Sequence, residues 1–281
     1  MRLCTEAGGV KSYTHITEPA YEFPPEVAER LRAAVDELLT GKPLQYVLGR
    51  AEFYGRVFNV GPGVLIPRPE TELLCRLAIE GASALYRPED APSGEALVSR
   101  DKKLRFPRPL RILDLCTGSG CIAWTMALEL PGAEVTGVDI SPVAIEIAEN
   151  QPFESDNRPR FIREDIFRIA RDADVADVKY DMILSNPPYI RQGERPQMHR
   201  NVTDWEPEIA LFVPDDDPLR FYRAIAAISA SHLSPGGFGM VEINESLPEE
   251  TAGVFKDAGL SKVEIIYDLA SKPRFIKYTL L

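Results

Sequence analysis

The sequence of 281 residues contains three histidines and four cysteines, and neither set is spaced to hold a metal. His15, His199 and His232 are scattered, and Cys4, Cys75, Cys116 and Cys121 form no CxxC pair. This predicts reduced thiols, no structural zinc and no disulfide-stapled fold. Long apolar runs are missing too: the longest, residues 122–130, falls far short of the roughly 20 residues that a membrane-spanning helix needs. Residues 1–9 show no basic stretch followed by an apolar one, so no secretory leader is expected. Positive charge is also short, with 32 Lys+Arg against 43 Asp+Glu and a formal net charge of -11. A surface of that sign repels phosphate backbones and argues against stable nucleic-acid binding. What is present is 44% hydrophobic residues, enough for one large core or for a standard domain with a small accessory one.

Composition divides the chain. Residues 1 to about 24 read as irregular, with Pro19, Pro24 and Pro25 closing the stretch. Val27, Leu31, Ala34, Val35, Leu38 and Leu39 then recur at helical spacing, with Pro25 at the helix start and Gly41 as its cap. Two β-rich runs, 45–48 and 57–60, predict a hairpin with a long loop. The stretch Val64-Leu65-Ile66 is stopped by Pro67 and Pro69, and Glu70 and Glu72 open a helix predicted to run to about Tyr86. Residues 87–109 are rich in proline and charge and read as a surface insertion. From 110 onward, strands are predicted at 111–115, 134–139, 160–163, 180–185, 239–243, 263–267 and 275–280. Helices at 121–130, 142–150, 219–232 and 248–258 fill most of the gaps. This is the alternation of a doubly wound α/β sheet, similar to class I methyltransferases. The last two strands lack a helix between them, so one should run antiparallel at the sheet edge.

Three motifs carry chemistry. Leu113-Asp114-Leu115-Cys116-Thr117-Gly118-Ser119-Gly120 is a strand ending in a glycine turn that opens a helix, where backbone N–H groups and close approach suit a ligand. It is neither a complete GxGxxG fingerprint nor a phosphate loop, and a tight turn without a ligand explains the same residues. Asp139 ends the next predicted strand, where a carboxylate can accept both hydroxyls of a ribose. Ser141 before Pro142 also suits a helix cap, so the start of a helix explains that acid as well. Asn186-Pro187-Pro188-Tyr189 follows the strand 180–185. Proline fixes φ and removes N–H donors; the Asn186 oxygen and the Pro187 carbonyl can then accept the two hydrogens of a planar NH2 group, with Tyr189 lying on its face.

In this order and spacing the motifs resemble S-adenosylmethionine-dependent amino-methyltransferases. The upstream stretches Pro43-Leu44-Gln45-Tyr46-Val47-Leu48-Gly49, Phe53-Tyr54-Gly55 and VLIPRPETE from Val64 to Glu72 narrow the resemblance to the HemK/PrmC family. Trp205-Glu206-Pro207 with Ala210-Leu211-Phe212, and Arg274, are similar as well. The resemblance implies a class I, Rossmann-like methyltransferase with a seven-stranded mixed sheet over 110–281. Before it come a short helical segment, 1–42, and a hairpin with a connecting helix, 43–86. It implies N5-methylation of the glutamine in the Gly-Gly-Gln motif of a peptide chain release factor, with S-adenosylmethionine as donor. Cofactor contacts are implied for Asp114, Cys116, Thr117, Gly118, Ser119, Gly120, Asp139, Asp165, Ile166 and Asn186. Asn186, Pro187, Pro188 and Tyr189 would hold the glutamine, with Asn186, Pro187 and Tyr189 in catalysis. Arg68, Glu70 and Glu72 match the family stretch, but a proline-started helix with acids in its first turn accounts for them equally.

The chain departs from the family pattern at Cys116, which replaces a glycine, at Pro214-Asp215-Asp216-Asp217-Pro218, and in having one helix before the hairpin where bacterial members have several. The Cys116 variant and the insertion look more like eukaryotic organellar members, implying a mitochondrial location, with the cytoplasm as the alternative because no presequence is visible. A monomer is expected, and an acidic surface suits a basic protein substrate. Rival readings are methylation of adenine N6 or cytosine N4, and a silent scaffold that keeps the fold.

Overall fold

The structure is a computed structural model that describes residues 2–83, 85, 108–172 and 178–281. Four helices open the chain: α1 (Arg2–Glu6), α2 (Thr14–Thr17), α3 (Pro25–Leu39) and α4 (Leu44–Leu48). This corrects two expectations. The first 24 residues are not wholly irregular, and several helices, not one, precede the hairpin. The run at 45–48 is helix despite its β-rich composition, because Pro43 precedes its first residue and Gly49, at φ 69°, closes it in the left-handed region. The hairpin lies later, in β1 (Arg50–Phe53) and β2 (Arg56–Asn59). Its loop is short: Tyr54 and Gly55 have φ of 50° and 69°, the two left-handed residues of a type I′ turn. Residues 64–66 form no strand. After them α5 (Pro69–Ala82) begins at the predicted proline. Tyr86 and residues 87–107, most of the expected insertion, lie outside the described residues.

The rest builds one seven-stranded sheet with its helices and a separate two-stranded one. Its elements in chain order are β3 (Arg111–Leu115), α6 (Cys121–Glu129), β4 (Glu134–Asp139), α7 (Pro142–Glu149), β5 (Arg160–Arg163), α8 (Ile166–Arg171), β6 (Tyr180–Ser185), β7 (Ile190–Arg191), α9 (Arg200–Thr203), α10 (Glu208–Leu211), β8 (Phe212–Val213), α11 (Arg220–His232), β9 (Leu233–Glu242), α12 (Pro248–Asp257), β10 (Ser261–Tyr267) and β11 (Pro273–Thr279). The sheet order is β10-β11-β9-β6-β3-β4-β5. β3, β4, β5, β6 and β9 run parallel, and β11 is antiparallel to both its neighbours. The reversed strand is therefore not at the edge, as expected, but in the slot between β9 and the edge strand β10. The central strands are almost continuously buried, as parallel strands covered on both faces must be.

Two cores flank the sheet. One packs Leu74 of α5 and Trp124 of α6 with Phe53 and Phe58 of the hairpin. The other packs Tyr222, Ile225 and Ile228 of α11 with Phe255 of α12 and Tyr278 of β11. Because α6 is apolar almost all round, it sinks wholly into its layer. No described helix is long and apolar enough to cross a membrane.

Gly239 of β9 pairs with Tyr278 of β11, and a Cβ at Gly239 would fall 2.1 Å from the Tyr278 ring. The ring cannot retreat, since it is fully buried and its hydroxyl lies 2.8 Å from Ser229 Oγ. Gly239→Ala should therefore lower stability by about 1–3 kcal/mol or more through overpacking. A urea titration reads this as a lower unfolding midpoint.

Candidate active site

Parallel strands aim their C-terminal ends the same way, and there a cavity of about 380 Å³ opens between the sheet, residues 63–71 and the segment 209–221. The turn after β3 shapes its floor. Cys116, Gly118 and Gly120 all adopt positive φ (60°, 56° and 78°), which folds the backbone back over the strand ends. A Cβ at Gly118 would meet nothing within 4 Å, so this is the side on which a ligand can come close. Gly120 serves packing instead: a Cβ there would crowd Ala148 and Phe161 at 3.0 and 3.1 Å. Cys116, Thr117, Gly118 and Ser119 line the cavity as expected, and Gly120 does not.

Asp114, expected to touch the cofactor, also lies off the cavity. It is fully buried behind the turn, where its Oδ2 accepts from the Thr117 hydroxyl and from Ala123 N at 3.1 Å. It thus ties the turn to α6 and acts through the backbone rather than on a ligand. Its Oδ1 has no partner, and burial lifts its pKa to about 7.

Asp139 lines the cavity at the end of β4. Its Oδ2 accepts from Gly118 N and its Oδ1 from Ser141 N, both at 2.9 Å. An ionised carboxylate has about four acceptor positions, so each oxygen keeps one for a ligand hydroxyl. The cap of α7 is Ser141, whose Oγ accepts from Ala144 N. The helix-start explanation therefore falls mainly to Ser141, and Asp139 is left to face the cavity. Asp165 caps α8 by accepting from Phe167 N at 2.9 Å, and with Ile166 it lines the same end of the cavity. The Arg220 guanidinium lies 4.5 Å from the Phe167 ring centroid and closes this end, a residue the motifs did not point to.

The Asn186-Pro187-Pro188-Tyr189 loop divides in two. Asn186 and Pro188 line the cavity. Pro187 is buried behind them, so of the two acceptors expected for an NH2 group only Asn186 reaches the open space. Tyr189 does not present its ring to the cavity either. Its hydroxyl donates to Glu242 Oε1 at 3.1 Å, and its carbonyl accepts from Asn244 Nδ2 at 3.1 Å. The Asn186 side chain donates from Nδ2 to Thr71 Oγ1 at 3.0 Å. Thr71 in turn donates to Glu242 Oε2 at 2.7 Å. Thr71 lies between two acids weighed in the sequence, and Glu242 stands out there as an acid ending the apolar stretch that precedes Ile243. Both signals were readable.

The PRPETE residues separate by role. Arg68 lines the cavity and pairs with Glu206, whose side chain is almost fully buried and also accepts from Ile66 N at 3.0 Å. Glu72 accepts from Tyr54 N at 3.0 Å and holds the hairpin turn, while Glu70 is exposed.

Several known proteins resemble this chain. A family profile described as "Methyltransferase small domain" matches residues 95–204, and one described as "PrmC N-terminal domain" matches residues 3–49. The chain is 40% identical over 247 residues to a Release factor glutamine methyltransferase of Bacteroides thetaiotaomicron, covering 88% of this chain and 79% of that one. A protein of the same name from Neisseria gonorrhoeae is 36% identical over 269 residues, covering 94% and 88%. Among solved structures, a methyltransferase from Pyrococcus furiosus has a TM-score of 0.51 at 15% identity, covering 88% of this chain and 98% of that one; this speaks to the fold alone.

The buried Asp114 predicts a pH effect. An acid whose pKa is higher folded than unfolded binds extra protons in the folded state, so stability falls as pH rises from its ordinary range toward about 7. Asp114→Asn cannot ionise. In thermal melts, the Tm of the unaltered protein should decline relative to that of the variant as pH rises from about 4 to 7.

Proposed function

The chain belongs to the release factor glutamine methyltransferase (HemK/PrmC) family, and we propose that it methylates N5 of the glutamine in the Gly-Gly-Gln motif of a peptide chain release factor. The observation that carries the reading is the single free acceptor of Asn186 at the wall of a cavity whose floor fits S-adenosylmethionine. The fit rests on the open face above Gly118, on the acceptor positions that Asp139 keeps toward the cavity and on the apolar surface of Ile166 and Phe167 beside Asp165. S-adenosylmethionine, when bound, supplies a methyl group on a positively charged sulfur.

The chain's own residues then have definable tasks. The open backbone face at Gly118 and the Asp139 carboxylate would hold the donor. Asn186 Oδ1 accepts one N–H of the glutamine amide, which fixes the approach of the nitrogen and favours electron density on it. With a methyl donor bound, Asn186 would aim the amide nitrogen at the methyl group, and the nitrogen's surplus proton would pass to water. Arg68, pinned by the buried Glu206, places positive charge at the cavity wall on the side where the N-terminal segment meets the sheet.

Further parts of the reading rest on sequence. The partner is a basic protein steered by the charge of -11; the chain works as a monomer and does not hold nucleic acid. For its compartment we propose an organelle, supported by Cys116 in the glycine turn. The relatives named above are bacterial, and fractionation of the source cells distinguishes organelle from cytoplasm.

Incubating the protein with S-adenosylmethionine and a candidate release factor should add one methyl group to the Gly-Gly-Gln glutamine, read by mass spectrometry. Methyl transfer to DNA or structural RNA in place of the release factor would overturn the assignment. Asn186→Ala should abolish transfer while calorimetry shows nearly unchanged cofactor affinity. Asp139→Asn should do the reverse, weakening S-adenosylmethionine binding by roughly 10- to 100-fold, the effect of losing hydrogen bonds to a charged acceptor.

A further inference from the structure

Behind the cavity wall runs a chain of hydrogen bonds that the reaction as described does not use: Tyr189 to Glu242, Thr71 to Glu242, and Asn186 to Thr71. Its members come from three distant parts of the sequence. Thr71 is in the first turn of α5, Asn186 and Tyr189 follow β6, and Glu242 ends β9. Glu242, 1% exposed, lies behind the wall, and Thr71, 2% exposed, lies in it.

Each bond in this chain has a direction. An ionised carboxylate only accepts, and a threonine hydroxyl has one proton to give. Thr71 gives that proton to Glu242 at 2.7 Å. Toward Asn186 it is then left with lone pairs alone, and the group it can take at 3.0 Å is the Asn186 NH2. With its nitrogen committed, Asn186 has its oxygen, not its nitrogen, free at the cavity. A side-chain amide can rotate by half a turn at almost no steric cost, so packing alone does not choose between the two faces. The direction of the hydrogen bonds does.

The geometry gives Glu242 the role of acceptor, since one hydroxyl donates to each of its oxygens. Burial, the largest influence, pushes its pKa up, and Glu70 adds to this, while the hydroxyls of Thr71 and Tyr189 and the charge of Arg274 pull it down. Tyr189 stays a donor, because burial and the neighbouring Glu242 hold its pKa well above the ordinary range. Arg274 is itself held by Asp268 at 3.1 Å.

We propose that Glu242 and Thr71 are positioning residues that set the polarity of Asn186, so that the site presents an oxygen acceptor and selects an N–H-bearing primary amide over a carboxylate. This rests on the reading of Asn186 given above. It supplies a physical reason for discrimination between glutamine and glutamate, which are nearly identical in shape. A glutamine NH2 meets the Asn186 oxygen with a hydrogen between them, whereas a glutamate oxygen meets it lone pair to lone pair. A site whose buried polar group is left unpaired by the wrong substrate discriminates far better than one relying on shape.

The test inverts the polarity without changing the shape. In Glu242→Gln, the Tyr189 hydroxyl still needs an acceptor and takes the new amide oxygen, which leaves the amide NH2 facing Thr71. Thr71 must then donate to Asn186 Oδ1, and the Asn186 NH2 turns to the cavity. Each oxygen keeps a partner and one amide N–H is left over, so Tm should fall only slightly and S-adenosylmethionine affinity should hold, while kcat for a Gly-Gly-Gln peptide should fall on the order of 100-fold, as when one preorganised polar contact is lost. Thr71→Val should cause a similar fall in kcat. Thr71→Ser, which keeps the hydroxyl, should stay close to the unaltered enzyme, a rescue that packing alone does not predict.

Full kcat in both Glu242→Gln and Thr71→Val, with Asn186→Ala inactive, overturns the polarity relay and leaves the reading of Asn186 standing. An active Asn186→Ala overturns that reading itself. Should neither Glu242→Gln nor Thr71→Val fold, nuclear magnetic resonance on the unaltered protein decides: slow exchange of an Asn186 side-chain amide proton supports the relay, and exchange as fast as in an exposed asparagine overturns it.

Discussion

Three buried polar side chains of the sheet unit grip the segment that precedes it. Gln151 accepts from Asn59 N at 2.8 Å and donates to Asn59 O at 2.9 Å; Glu206 takes Ile66 N and Arg68; Glu242 takes Thr71. Apolar contact alone would let the hairpin and α5 slide over the sheet at little cost. Polar groups with no access to water do not allow this, because each displaced donor or acceptor is left unpaired at about 1–3 kcal/mol. The placement of Arg68 and Thr71 at the cavity wall therefore depends on acids and an amide contributed from elsewhere in the chain.

The same constraint explains why the site has two kinds of acid. Asp139, at the cavity, shares its oxygens between the protein and open space. Asp114 and Glu242, buried behind it, touch no open space and act through other groups, Asp114 through Thr117 and the backbone of Ala123, Glu242 through Thr71 and Tyr189. At the Asn186 part of the wall, an acid lies behind the neutral side chain that lines the cavity, joined to it through Thr71.

Much of this was legible beforehand. The strands β3, β4, β5 and β6 lie at the expected residues because parallel strands buried on both faces are short apolar runs closed by turn residues. Residues 45–48 misled because the β-propensity of Tyr46 and Val47 outweighs neither Pro43 nor Gly49, which fix the local backbone. At the site, what the sequence conveyed was residue type and order; side-chain direction was hidden. Asp114 and Asp139 both end strand motifs, yet one points behind the turn and the other into the cavity. Tyr189 looked like a stacking platform and turned out to be a hydrogen-bond donor, because its acceptor Glu242 is 53 positions away.

The placement of β11 has a consequence for the order of assembly. This strand comes after both its neighbours in sequence yet lies between them, so β9 and β10 cannot pair directly and a slot stays open until residues 273–279 arrive. Until then Gly239 faces no ring, the apolar face that meets Phe275, Ile276 and Tyr278 is wet, and Glu242, the register partner of Phe275, remains hydrated. Closure of that slot is a non-local event of the slow kind. It also sets Phe275 opposite Glu242, so the burial of this carboxylate depends on the last strand of the chain as well as on Thr71 and Tyr189.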